Sequence, residues 1–249
     1  MNMLRPFRLE PIIRINPGRV AGYELLLDNR PRSEDRRAWL EIYRIMPELV
    51  TAARVAARLD ENQWISVNAH SWQLIDPEFQ SCLLALPAKT TVLEWTESGN
   101  ADVSRSDIEC AARFLERWRV HTRGMLAIDD LGAGLDGIGR IKLIECDIIK
   151  LDGTVIEGAQ QEGRIMFLMQ ALVEMFKQMG AAVVAECVET DTALTVARSC
   201  GVQMVQGWRW EFLSVHYDTV RKTATVTEQE INKGRESVLS DPMLKKACG

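Results

Sequence analysis

The sequence predicts an α/β fold of the (β/α)8 barrel type, and three observations lead there. Short apolar, β-rich runs recur at 64–68, 90–95, 125–130, 147–151, 181–186 and 203–206. Helical stretches lie between them, around 72–86, 107–120, 137–144, 164–180 and 192–201. Strands alternating with helices of that size make βα units around a mostly parallel sheet. The length, 249 residues, suits a single barrel. An open doubly wound sheet is the competing architecture, and it is weakened because no Gly-x-Gly-x-x-Gly follows the first strand.

The chain opens with Phe7, Leu9, Ile12, Ile13 and Ile15, then Asn16-Pro17-Gly18, then Val20, Gly22-Tyr23 and Leu25-Leu26-Leu27. Two strands joined by so tight a turn signal predict an antiparallel hairpin, which completes a set of eight strands. Residues 30–35 read as a polar loop, and 36–59 as a helix with a break at Pro47. In the helix over 164–180, Met166, Met169, Met175 and Met179 recur at helical spacing and are expected to face the core. From Thr219 the composition turns polar, and Val226-Thr227-Glu228-Gln229-Glu230 resembles a helix start. One barrel domain over 1–218 and a polar helix or tail over 219–249 are therefore expected.

Composition narrows the function. With 47% hydrophobic and 26% charged residues the chain is an ordinary globular one, which excludes disorder and fibrous classes. A net charge of −5 offers no footprint for a nucleic acid polymer or an anionic membrane. No apolar run approaches the ~20 residues of a membrane helix. The start, Met-Asn-Met-Leu-Arg-Pro-Phe-Arg, lacks the apolar core of a signal peptide, so a cytoplasmic location is expected. The six cysteines form no CxxC, and His70, His121 and His216 are scattered, leaving little for zinc or histidine chemistry.

The strand ends carry the chemistry. Ile65-Ser66-Val67 ends at Asn68, Thr91-Val92-Leu93 at Glu94, and Leu126-Ala127-Ile128 at Asp129-Asp130. Ile148-Ile149 ends at Lys150, Ala182-Val183-Val184-Ala185 at Glu186, and Met204-Val205 at Gln206; the second hairpin strand carries Glu24. One carboxylate at a strand end is most often a helix cap or a solvated loop residue. Around a parallel barrel, however, all these ends meet on one face, where the active sites of such barrels lie. Carboxylates gathered there without countercharge repel and raise one another's pKa, and a cation relieves that conflict. Carboxylate and amide oxygens without His or Cys form a hard donor set that favours Mg²⁺ or Mn²⁺ over Zn²⁺. The adjacent Asp129-Asp130 pair suits two ions ~3.5–4 Å apart, an arrangement that activates water against a phosphodiester. Lys150 either assists that water or serves as a salt bridge that balances the acids. Trp208 and Trp210, beside Gln206, read as packing residues more readily than as a base-stacking pair.

Over roughly residues 7–212 these segments resemble the EAL-domain cyclic di-GMP phosphodiesterases. The matching runs, in order, are Glu10-Pro11-Ile12-Ile13, Gly22-Tyr23-Glu24-Leu25-Leu26, Ile65-Ser66-Val67-Asn68 and Leu93-Glu94-Trp95-Thr96-Glu97. They continue with Ile128-Asp129-Asp130-Leu131-Gly132, Asp147-Ile148-Ile149-Lys150-Leu151-Asp152, Val184-Ala185-Glu186-Cys187-Val188-Glu189-Thr190 and Val205-Gln206-Gly207-Trp208. The resemblance implies a modified (β/α)8 TIM-like barrel with an antiparallel first strand, in agreement with the hairpin. It implies hydrolysis of cyclic di-GMP to linear pGpG with two Mg²⁺ or Mn²⁺ ions. Glu24, Asn68, Glu94 and Asp129 would hold the first ion, and Asp129, Asp130 and Glu186 the second. Lys150 would assist the water, Glu97 and Glu189 would support the site and its mobile loop, and Leu26, Arg30 and Gln206 would meet the substrate. A homodimer is also implied. No sensor segment is visible, so a regulatory protein partner is a further expectation.

The chain also departs from the family pattern. Where the signature reads Glu-Ala-Leu-x-Arg, this chain has Glu24-Leu25-Leu26-Leu27-Asp28, reversing the charge of an arginine that contacts substrate phosphate. The usual Phe-Gly-Thr-Gly-Tyr-Ser-Ser loop is Leu131-Gly132-Ala133-Gly134-Leu135-Asp136-Gly137, and a usual Ser-Arg-Pro is Glu211-Phe212-Leu213, an acid expected near the pocket. Three readings follow: an active phosphodiesterase, a degenerate EAL protein acting as nucleotide receptor or protein-binding regulator, and an unrelated metal-dependent barrel lyase. The full set of ligand-type residues favours the first.

Overall fold

The structure, a computed structural model, describes residues 5–28, 30–32, 34–96, 104–133 and 137–228. Strands β1 (Arg5–Arg14) and β2 (Arg19–Leu27) form the expected hairpin, with Gly18 in the turn at φ 76°. Helix α1 (Arg36–Ala56) leads to β3 (Trp64–His70), the short α2 (Ser71–Leu74) and α3 (Pro77–Leu84), β4 (Thr91–Thr96) and α4 (Arg105–Thr122). Next come β5 (Met125–Leu131), α5 (Gly137–Ile141), β6 (Ile148–Leu151), α6 (Gly153–Gln161), α7 (Gly163–Gln178), β7 (Ala182–Ala185), α8 (Asp191–Ser199) and β8 (Met204–Val205). Strands β2 to β8 run parallel in sequence order, and β1 closes the ring antiparallel to both β2 and β8. The barrel with an antiparallel first strand is thus the observed fold, and the open sheet is excluded.

Several elements differ from expectation. Pro47 sits inside α1 without ending it, because Leu40, Tyr43 and Met46 before it and Leu49, Val50 and Ala53 after it bury one continuous face. Packing of that face outweighs one lost backbone hydrogen bond. The helix expected over 72–86 divides at Asp76-Pro77, where the Asp76 carboxylate accepts from the Glu78 backbone N–H and Pro77 opens α3. Helix α6 was not anticipated, although Asp152 caps it by accepting from the Thr154 N–H at 2.8 Å. In α7, Met169 is buried and Met166 half-buried, but Met175 and Met179 face outward, so the core expectation fails for those two.

The largest correction concerns the end of the chain. Strands β9 (Leu213–Asp218) and β10 (Thr223–Glu228) form a hairpin that pairs with the Arg5–Leu9 half of β1. The helix start expected at 226–230 is strand as far as Glu228, and the remaining residues of that segment lie outside the described ones. The β-branched Thr223, Thr225, Val226 and Thr227 outweigh the capping signal once β9, seated on an edge of β1, offers an antiparallel partner. A domain boundary at 218 would cut this hairpin in two.

The barrel interior has two zones. Its floor is apolar: Ile12, Trp64, Val92, Ala127, Ile148, Val184 and Met204 form a cluster separate from the main core between sheet and helices. An even number of residues further along the same strands, side chains on that face become Glu10, Asn68, Glu94, Asp129, Lys150, Glu186 and Gln206. Gly22 stands opposite Trp64 in the register, and a Cβ on it would lie 2.5 Å from the indole Nε1. The substitution Gly22→Val should therefore cost about 1–3 kcal/mol by overpacking. Urea midpoints should record the loss, and adding Trp64→Ala should make the two changes non-additive by relieving the overlap.

Candidate active site

Lys150 occupies the centre of the polar zone. Its side chain is 1% exposed, and Nζ lies 3.0 Å from Glu24 Oε2, 2.9 Å from Glu94 Oε2, 3.0 Å from Asp129 Oδ1 and 2.8 Å from Glu186 Oε1. Asn68 Nδ2 donates to Glu24 Oε1 at 2.6 Å, and Gln206 Nε2 donates to Glu24 Oε2 at 2.6 Å. The strand ends are themselves tied from outside. The Tyr43 hydroxyl from α1 donates to the Asn68 carbonyl at 2.5 Å, and the buried Arg140 from α5 donates to the carbonyls of Trp95 at 2.5 Å and Asp129 at 2.8 Å.

Asp129 and Asp130 are consecutive, and a regular strand would send them to opposite faces. Asp130 instead adopts φ 56°, and the β5–β6 register slips between Ile128 and Leu131. That irregularity lets both carboxylates line the mouth. Asp129, Asp130 and Glu186 each present an oxygen, all within 4.8 Å of one another. Cys187 also has a positive φ, 53°, and lines the mouth beside Glu186.

The acids compete for one ammonium, and their protonation reflects it. Burial pushes the Glu94 carboxyl up to about 8, with Glu24 and Asp129 adding to the rise and Lys150 opposing it. Burial, then the charge of Asp129, brings Asp130 to about 6, and burial holds Glu186 well above the usual carboxylate range. Glu24 goes the other way: burial favours its neutral form, but Lys150, Asn68 and Gln206 together hold it below the ordinary value. Burial alone would lower the Lys150 pKa, yet the surrounding acids Asp129, Glu186, Glu24 and Glu94 keep it well above the ordinary lysine value.

A divalent cation fits these residues. The donors are all oxygen, the acids outnumber the one ammonium, and Asn68 Oδ1 is buried with no hydrogen-bond partner. Such an orphaned acceptor in a carboxylate ring is what a hard ion would satisfy.

A cavity of about 380 Å³ opens over this ring and is lined, among others, by Leu26, Arg30, Glu189, Gln206 and Trp208. The expected residues Glu24, Asn68, Glu94, Asp129, Asp130, Lys150, Glu186 and Gln206 come together, with Leu26, Arg30 and Glu189 around them. Glu97 and residues 134–136 lie outside the described residues. Asp28 is not part of the cavity wall; its carboxylate lies 3.5 Å from Arg8 Nη1. Glu211 is not part of the wall either, contrary to expectation. The tryptophan pair splits: Trp210 is buried as packing, whereas Trp208 is 58% exposed on the cavity rim.

The residue that closes each apolar run does not mark every wall residue, His70 and Glu10 among them. His70 lines the mouth with its Nδ1 2.8 Å from Thr96 Oγ1, and Glu10 lines it from β1. Strand periodicity was the available signal, since His70 follows Asn68 by two residues and Glu10 precedes Ile12 by two.

A closed barrel that gathers oxygen ligands at the C-terminal ends of its parallel strands defines a (β/α)8-type protein with a candidate cation site. The EAL domain profile matches residues 6–211, and the chain belongs to that family. It is 31% identical over 123 residues to the probable cyclic di-GMP phosphodiesterase PdeA of Escherichia coli, covering 48% of this chain and 16% of that protein. To the cyclic di-GMP phosphodiesterase RocR of Pseudomonas aeruginosa it is 27% identical over 172 residues, covering 67% of this chain and 43% of that protein. The chain thus spans less than half the length of either relative. Among solved structures, Klebsiella pneumoniae BlrP1 in a calcium and cyclic di-GMP complex superposes with a TM-score of 0.71 at 20% identity, over 91% of this chain and 59% of that one. The EAL domain of Mycobacterium smegmatis DcpA gives 0.64 at 22% identity, over 81% and 87%. At these identities the structural likeness speaks for the fold. Among the described residues no helix is long and apolar enough to cross a membrane.

The raised carboxyls make a pH prediction. Glu94 and Asp130 bind protons more tightly folded than unfolded, where they titrate near 4.5 and 3.8. Their stabilising effect is complete below those values and is lost as pH rises through about 6 and about 8. Glu24, held low, is ionised throughout this window and does not alter the slope. The melting temperature of metal-free protein should therefore fall from pH 5 to pH 8.5. Added Mn²⁺ should raise it by an amount that grows with pH, because the ion binds the ionised forms.

Proposed function

We propose that this chain hydrolyses cyclic di-GMP to linear pGpG at the barrel mouth, using two Mg²⁺ or Mn²⁺ ions. The observation that carries the reading is the convergence of Glu24, Asn68, Glu94, Asp129, Asp130 and Glu186 around Lys150, in a chain of the EAL family. Glu24, Asn68, Glu94 and Asp129 would hold one ion, and Asp129, Asp130 and Glu186 the other. Bound there, the ions supply positive charge for the phosphodiester and an activated water.

The chain's own residues do the rest. Lys150 holds the attacking water by donating from Nζ, its proton secured by the surrounding acids. The Arg30 guanidinium at the wall pairs with a substrate phosphate, and Leu26 packs against the nucleoside. Trp208, exposed on the rim, stacks a guanine, a contact worth about 1–3 kcal/mol in other nucleotide sites. Gln206 keeps Glu24 aligned, and by the family pattern Glu97 and Glu189 would support the site and its loop. A cytoplasmic location, a homodimer and a regulatory protein partner belong to the same proposal, the homodimer resting on the family alone.

Purified protein with Mn²⁺ and cyclic di-GMP should release pGpG, measured by liquid chromatography, and Glu24→Ala and Asp129→Asn should abolish the release. Arg30→Ala should raise KM about tenfold or more, the loss of a charge-assisted phosphate contact, with kcat little changed. Tight nucleotide binding in Ca²⁺ without pGpG in Mn²⁺ would identify a receptor in place of an enzyme.

A further inference from the structure

The reversed charge at Asp28 has a partner across the hairpin. Arg8 lies two residues from Glu10 on the same face of β1, and its Nη1 lies 3.5 Å from Asp28 Oδ1. Its Nε lies 3.0 Å from Glu10 Oε1, and the guanidinium sits over the Phe212 ring, 5.7 Å from the centroid. Glu10 Oε2 in turn accepts from Gln206 Nε2 at 3.3 Å, and the same Nε2 donates to Glu24 Oε2 at 2.6 Å. A continuous polar chain therefore runs Asp28, Arg8, Glu10, Gln206, Glu24.

Glu10 and Glu24 are direct cross-strand partners, both directed into the barrel. Two carboxylates so placed repel, and a free Glu10 would compete with Glu24 for any cation at the mouth. Arg8 draws Glu10 outward, and the Gln206 amide then bridges the two acids. Asp28, 3.5 Å from Arg8 Nη1, sets a second carboxylate against the guanidinium on the side away from Glu10. Glu24 is fixed from both sides, by Gln206 on Oε2 and Asn68 on Oε1.

We propose that Asp28 and Arg8 are positioning residues that act through Glu10 and Gln206 to hold Glu24 ready for a divalent ion. This rests on the metal-site part of the proposed function. Asp28 on this account is the anchor of an arginine supplied from the neighbouring strand, and not an acid turned against the substrate.

The test is the Mn²⁺ affinity of the full chain without nucleotide, read from the spin-resonance signal of free Mn²⁺. Arg8→Met should weaken binding by about tenfold or more, the usual scale for residues behind a ligand. Arg8→Lys should recover part of that loss, and Asp28→Asn should weaken binding several-fold. The decisive variant is Arg8→Met with Glu10→Gln: removing the acid that Arg8 restrains should return the affinity to near wild type, which a purely structural role for Arg8 would not do. Folded Arg8→Met and Asp28→Asn proteins with wild-type affinity would overturn the proposal, as would failure of Glu10→Gln to restore binding. If Arg8→Met does not fold, Asp28→Asn, a change at an exposed residue, decides alone. Wild-type protein that takes up no Mn²⁺ would remove the metal-site reading and this inference together, a result seen before any variant is made.

Discussion

A single ammonium, Lys150 Nζ, lies within 3.0 Å of four carboxylates inside a barrel otherwise floored by Trp64, Val92 and Ile148, and the mouth is organised around it. Charges removed from water this completely are tolerated only when paired and hydrogen-bonded. The ring meets that condition in part. Lys150 answers one charge's worth of acid, burial favours the protonated forms of Glu94 and Glu186, and the amides of Asn68 and Gln206 cover the oxygens of Glu24. The remainder, including the unpartnered Asn68 Oδ1, is the room that the arrangement leaves for a cation.

The apolar floor and the polar ring depend on each other. Gly22 gives the Trp64 indole its place, and that packed layer seals the barrel beneath the acids. An apolar layer beneath buried charges lowers the local dielectric and strengthens the electrostatic contacts above it. The backbone contributes where the strands end. A left-handed Asp130 turns a strand's alternation into two neighbouring carboxylates, and Arg140 and Tyr43 tie the strand ends that carry Asp129 and Asn68.

Departures from the family signature look different once charges are placed in space. Asp28 pairs with Arg8 outside the cavity wall, while Arg30, two residues on, lines it. A positive charge therefore lies on the cavity wall although residue 28 is an acid. Glu211 likewise stays off the wall, so neither of the two substituted acids lines the cavity.

Local pattern was enough for the barrel, the opening hairpin and the residues that gather at the mouth, because strand alternation and the residue closing each apolar run are properties of short segments. Glu24, Asn68, Glu94, Asp129, Lys150 and Glu186 could be read in this way. The hairpin of β9 and β10 could not, since its strands exist by covering an edge of β1 that only the closed barrel exposes. Nor could the unbroken helix through Pro47, which depends on the face it buries, nor the outward-facing Met175 and Met179. The pairing of Asp28 with Arg8 and of Glu10 with Gln206 likewise had to wait for the fold, because a charge's effect depends on what lies within a few ångströms and these partners are distant in the chain. The sequence by itself determined which residues are present at the mouth; the tertiary structure decided which of them face one another, and so which charges are balanced and which are left for a ligand.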